Sequence, residues 1–265
     1  ATQTTPIITI IVQIFWIACC ALSMMAQTRL LLGFPLTPDW LDGFVFGGTV
    51  FGYHYANPTQ SYRLVAWIMG VLGGICLLVA APLPIGAYWI RLFPPLLLWL
   101  AYYGFLHPKK TKLRDHPLAK PMVIAATWAW VSVLFPTTFD RWPDLFFMGL
   151  GRAAFIFSLA LAYDLSDAAH DQKLGLKTLV GSLGPKQTFV WIDRSLALAG
   201  LCVAANLWLH LYDYALGIGL IGTLAFTAFW LRKILRKPEW EYWHKPLIDG
   251  LMVLQFLVIW LLYAT

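Results

Sequence analysis

Asp164, Asp167 and Asp171 stand at i, i+3 and i+7 in the stretch Tyr163–Lys186. On an α-helix that spacing confines three carboxylates to one stripe about 60° wide. Like charges on one stripe repel, so the arrangement invites a cation among them. Oxygen-only ligands favour a hard ion, and Mg²⁺ usually brings phosphate with it. Lys173 and Lys177 follow closely enough to help hold an anion. Taken by itself, the same stretch also reads as a solvated, capped end of a helix.

The rest of the chain says what must position these acids. Hydrophobic residues make up 60% and charged residues 12%, about half the roughly 25% usual in globular proteins. A bilayer-crossing helix needs about 20 apolar residues, and such runs recur throughout. The expectation is an all-α, polytopic membrane protein forming one domain over residues 1–265. Nine spans are expected: Pro6–Leu30, Trp40–Tyr55, Leu64–Pro82, Tyr88–Phe105, Pro121–Phe135, Leu145–Tyr163, Thr188–Leu209, Tyr214–Leu231 and Pro246–Tyr263. The first lacks a basic leader and is too long for a signal core, so it reads as a retained helix.

Charge sets the expected orientation. Lys109, Lys110, Lys112, Arg114 and Lys120 crowd the loop between spans four and five, and basic residues recur after spans six and eight. The opposite side carries only Arg141 clearly in a loop, so the positive-inside rule puts the N-terminus and the aspartates on the cytoplasmic side. The net charge of +6 comes from these loops and implies no nucleic-acid partner. Cys19, Cys20, Cys76 and Cys202 all fall in apolar runs, with no metal-site or disulfide pattern. The glycines at Gly217, Gly219 and Gly222 would let helices approach closely. Ionisable residues inside spans read as structurally satisfied: Asp193 beside Arg194 with Asp193 facing a cavity, Lys245 pairing with Asp249 at i, i+4, and Arg152 within span six.

The order Asp-x-x-Asp-x-x-x-Asp, followed by Gly175, Lys177, Thr178 and Gly184, resembles the second aspartate motif of the UbiA superfamily of intramembrane prenyltransferases. The resemblance implies a nine-helix bundle with a central cavity open to the cytoplasmic side. It implies transfer of a polyprenyl group from its diphosphate to an aromatic or lipid acceptor. Asp164, Asp167 and Asp171 would then hold Mg²⁺ and serve as the catalytic acids, with Lys112, Lys120 and Lys177 on the diphosphate. Tyr53, Tyr55 and Tyr103 would stabilise cationic character in the transferred group. No general base can be nominated. For the basic loop Leu113–Lys120, topology and anionic-lipid binding weigh equally with diphosphate capture.

The family's first motif, Asn-Asp-x-x-Asp-x-x-x-Asp, is missing. In its place stands Tyr-His-Tyr-Ala-Asn-Pro-Thr-Gln-Ser-Tyr-Arg (Tyr53–Arg63), and no acid occurs between Asp42 and Asp115. Asn57 and Arg63, with His54, are the candidates to meet phosphate directly; for His54 an interfacial role without chemistry is preferred. Such a degenerate motif resembles a bacterial subgroup of the superfamily, hence an expected bacterial inner membrane. Two functions stay open: a prenyltransferase impaired by the missing motif, and a non-catalytic relative. The second would bind an isoprenoid, quinone or carotenoid, or serve as a subunit of a larger membrane complex. A transporter is the weaker third, because no paired broken helices mark two related halves.

Overall fold

The structure, a computed structural model, describes residues 7–56, 71, 85–103, 116–137, 141, 144–173, 178–237 and 243–265. These residues form helices and connecting turns, with no strand among them. The helices are α1 (Ile7–Leu31), α2 (Trp40–Ala56), α3 (Ile85–Tyr103), α4 (Ala119–Ala129), α5 (Phe146–Lys173), α6 (Leu179–Trp208), α7 (Tyr214–Ile234) and α8 (His244–Ala264). A π-helical turn, Trp130–Leu134, continues α4. Helices α1, α5, α6, α7 and α8 are long and apolar enough to cross a membrane, and α2, α3 and α4 hold shorter apolar segments. The chain is an integral membrane protein. The expected span Leu64–Pro82 lies, but for Val71, outside the described residues.

Lipid decides what faces outward. Leu201, Ile218, Phe229 and Leu261 are exposed; in water they would be a liability, but against acyl chains they are solvated. Inside, α5 runs along α6, α1 packs on α8 and α2, and α7 bridges α6 and α8. Phe155, Leu161, Ile192, Leu231, Ile248 and Ile259 form the fully buried centre. Gly151 sets the α5–α6 approach: a Cβ there would meet the Cys202 Cβ at 3.0 Å. Gly217 and Gly219 similarly admit Leu207 and Leu262, whereas a Cβ at Gly222 would meet nothing within 4 Å.

Two boundaries differ from those expected. Helix α5 does not stop at Tyr163 but runs ten residues further to Lys173, carrying all three aspartates. The apolar run ends at Tyr163, yet Ser, Ala, Gln and Lys sustain a helix well enough once packing has nucleated it. Helix α6 begins at Leu179 rather than Thr188, and breaks at Gly184, whose φ of 74° and ψ of 163° are not helical. Glycine tolerates that backbone where a Cβ would strain it. Pro185 then starts the long segment, its missing N–H costing nothing in a first turn.

Contacts between helices fix their relative direction. The Trp16 indole donates to Pro246 O at 3.2 Å near the start of α8, and Tyr163 donates to the Asp249 carboxylate. Further along α1, Arg152 of α5 reaches Met24 O and Thr28 Oγ1. One end of the bundle therefore collects the end of α5 with the beginnings of α1 and α8. The other collects the end of α1 with the beginning of α5. They are called here the aspartate end and the arginine end.

Candidate functional site

At 28 residues, α5 is about 42 Å long, more than the roughly 30 Å hydrocarbon thickness. A helix of that length has room for its last turns beyond the apolar layer. Asp164, Asp167 and Asp171 share one stripe of these turns, and burial falls along them: Asp164 is buried, Asp167 and Asp171 partly exposed. Both outer acids act electrostatically on Asp164. Such crowding needs positive charge, and two lysines supply it. Lys120 Nζ lies 2.5 Å from Asp164 Oδ1, and Lys245 Nζ lies 3.0 Å from Asp167 Oδ2. The second oxygen, Asp164 Oδ2, is buried without a hydrogen-bond partner.

The placement of these charges runs against the helix dipoles. Lys120 is the second residue of α4 and Lys245 the second of α8, cations at the ends where partial positive charge already sits. The aspartates occupy the last turns of α5, where partial negative charge sits. Each misplacement costs roughly 0.3–1 kcal/mol when exposed, and the cross-helix pairs offset it. The local fields thus suit a foreign cation at the end of α5 and a foreign anion at the starts of α4 and α8. Helix α6 also begins at this end, with Thr178 Oγ1 capping Gly181 N at 3.1 Å.

A hard metal ion matches the donor chemistry here, since the acids offer oxygen alone and Asp164 Oδ2 is an open acceptor. Among the described residues, however, no three acidic, histidine or cysteine side chains converge closely enough to hold one. A metal would have to compete with the lysine contacts.

The other expected site residues divide simply. Lys120 is brought to the acids. Lys112, Lys177, Asn57 and Arg63 lie outside the described residues. Tyr53, Tyr55 and His54 lie on α2, and Tyr103 ends α3; their side chains are not described. Lys245 was not expected at the site, because the i, i+4 spacing pointed it at Asp249. Instead Asp249 is buried and accepts from Tyr163. Asp193 likewise pairs with Arg232 of α7 rather than with its neighbour Arg194. A signal for Lys245 existed: a lysine in the first turn of an apolar helix is misplaced unless an acid faces it.

The fold and this charged end define a polytopic helical membrane protein of a recognisable architecture. The structure superposes on the apo structure of a UbiA homolog from Aeropyrum pernix K1 with a TM-score of 0.59 and 17% identity, covering 92% of this chain and 96% of that one. The two chains share a fold. No protein-family model matches the sequence. No curated protein matches it either.

Proposed function

We propose that the protein is a UbiA-like membrane prenyltransferase, moving a polyprenyl group from its diphosphate to an aromatic or lipid acceptor at the aspartate end. One observation carries this reading: acids at the C-terminal end of α5 face lysines at the N-terminal ends of α4 and α8. That is the field pattern a cation–diphosphate pair would occupy. Lys120 and Lys245 would turn from the aspartates to the diphosphate, joined by Lys112 and Lys177, while Asn57 and Arg63 would meet phosphate from the second loop. Asp164, Asp167 and Asp171 would hold Mg²⁺, which supplies several kcal/mol of neutralisation to a departing diphosphate. Tyr53, Tyr55 and Tyr103 would face the allylic group. The frame would be nine helices around a cavity open to the cytoplasm, with the N-terminus on that side of a bacterial inner membrane.

A second reading is favoured by the same lysines. With Asp164 and Asp167 already neutralised and no acid between Asp42 and Asp115, the bundle would bind an isoprenoid, quinone or carotenoid without turning it over, or serve in a larger membrane complex. The deciding experiment is Mg²⁺-dependent diphosphate release from geranyl, farnesyl and geranylgeranyl diphosphate by the purified protein. Release that Asp167→Ala abolishes supports the enzyme. No turnover with any donor and acceptor, or stoichiometric co-purification with other membrane subunits, supports the second reading.

A further inference from the structure

The arginine end holds a small pocket unconnected with the aspartates. Arg152, on the second turn of α5, is only 6% exposed. It is joined in the lining by Gln27 of α1, Asn206 of α6, Tyr212 of the α6–α7 turn and Gln255 of α8. Among the described residues no carboxylate lines the pocket. The two acids near the end of α1 are already engaged elsewhere. Arg29 binds Asp39 through both carboxylate oxygens, at 3.0 and 2.9 Å, and Asp42 at 3.2 Å. Among the described residues Arg152 has only neutral partners: Met24 O and Thr28 Oγ1, each at 3.3 Å, and the Met24 sulfur. Those oxygen contacts exceed the usual N–H···O range of roughly 2.7–3.2 Å.

A guanidinium in an apolar layer without an opposite charge is expensive. Tyr212 is not that charge, because burial, outweighing the pull of Arg152, pushes its phenol above the usual range and keeps it neutral. Meanwhile the pocket is rich in unspent hydrogen-bonding capacity. Both amide atoms of Gln27, which is 0% exposed, lack partners, as does Asn206 Oδ1. The Tyr212 hydroxyl accepts from Asn206 Nδ2 at 3.1 Å, leaving its own proton free to be donated. A guanidinium, an amide and a phenol proton thus converge on one space. The cavity volume is about 30 Å³, against the roughly 10–15 Å³ that a single water requires. That is room for one small ion.

We infer that this pocket is a binding site for a small monovalent anion of about the size of chloride, held by Arg152 with Gln27 and Tyr212. The site is independent of the proposed chemistry at the aspartate end, about 18–28 Å away along α5 at 1.5 Å per residue. The anion would supply the missing counter-charge and pin the ends of α1 and α6 to the start of α5.

The test uses the whole purified protein in detergent, in gluconate buffer at constant ionic strength, with chloride, bromide or nitrate titrated in. Thermal unfolding should rise saturably, by about 5–10 °C at a hundredfold excess over half-saturation. Gln27→Leu, nearly isosteric, should lose this dependence while unfolding in gluconate at or above the temperature of the unsubstituted protein, since two stranded polar atoms are gone. Crystals of the unsubstituted protein soaked in bromide should show anomalous density against Arg152, a measurement that needs no variant to fold. An unfolding temperature indifferent to all three anions, bromide density absent from the pocket, or a Gln27→Leu protein that keeps the dependence would each overturn the site.

Discussion

At the aspartate end Asp164 meets Lys120 and Asp167 meets Lys245; at the arginine end Arg29 gathers both Asp39 and Asp42 while Arg152, among the described residues, meets no carboxylate. The first end pairs two of its three stripe acids one to one across separate helices. The second puts two of its acids, Asp39 and Asp42, on one arginine and, among the described residues, leaves the more deeply placed arginine to neutral oxygens. Sequence distance explains part of this. Arg29, Asp39 and Asp42 lie within one helix end and the next helix start, so their network also builds the α1–α2 connection. Asp39 Oδ1 accepts from Leu41 N at 2.9 Å while Asp42 Oδ2 accepts from Asp39 N at 2.8 Å, a reciprocal cap on α2. Those acids are committed locally before any distant arginine can compete. The pairs at the aspartate end join residues far apart in the chain and report on the assembled bundle.

The comparison can be broken first at Lys120. Lys120→Met leaves Asp164 buried beside two other acids, and stability should fall by about 3 kcal/mol, the low end for a stranded buried charge. Denaturant unfolding in mixed micelles would measure it, and adding Asp164→Leu should recover most of the loss. Tyr163→Phe removes the hydroxyl that donates to buried Asp249 and should cost about 2 kcal/mol by the same assay. At the other end Asp39→Ala removes the α2 cap and half of the Arg29 network, with an expected loss of about 1 kcal/mol. Smallest is Lys245→Ala, since both partners of its pair are well exposed: less than about 1 kcal/mol in unfolding. If the aspartate end binds diphosphate, that nearly neutral variant should weaken binding of a prenyl diphosphate analogue by about tenfold, read by titration. A stability loss at Lys245 as large as that at Lys120 would erase the distinction between buried and rim pairs.

Much of this was legible without coordinates, and the reason differs by feature. The long helices follow from apolar runs that can only be satisfied in lipid, so α1, α7 and α8 end within a few residues of expectation. The stripe of Asp164, Asp167 and Asp171 follows from helical periodicity alone. The extension of α5 past Tyr163 was not legible, because apolarity marks where a helix is in lipid, not where it stops being a helix. Ion pairs were least legible. Local spacing suggested Asp193 with Arg194 and Lys245 with Asp249, but neighbouring side chains on one helix compete with those of packed helices. Here Arg232 and Asp167 win. The pocket around Arg152 was invisible because its members come from α1, α5, α6, α7 and α8 and the turn before α7, with no shared spacing.

The π turn at the end of α4 has a consequence for how this helix tolerates change in length. There Phe135 N bonds to Trp130 O at 2.8 Å, five residues back rather than four, so the turn holds one residue more than a regular helix would. Dropping a single residue from Trp130–Leu134 would let the ladder close in the ordinary way while Ala125 and Phe135 kept their present neighbours. The same deletion in α5, where no surplus exists, would swing the aspartates about 100° around the axis and away from Lys120.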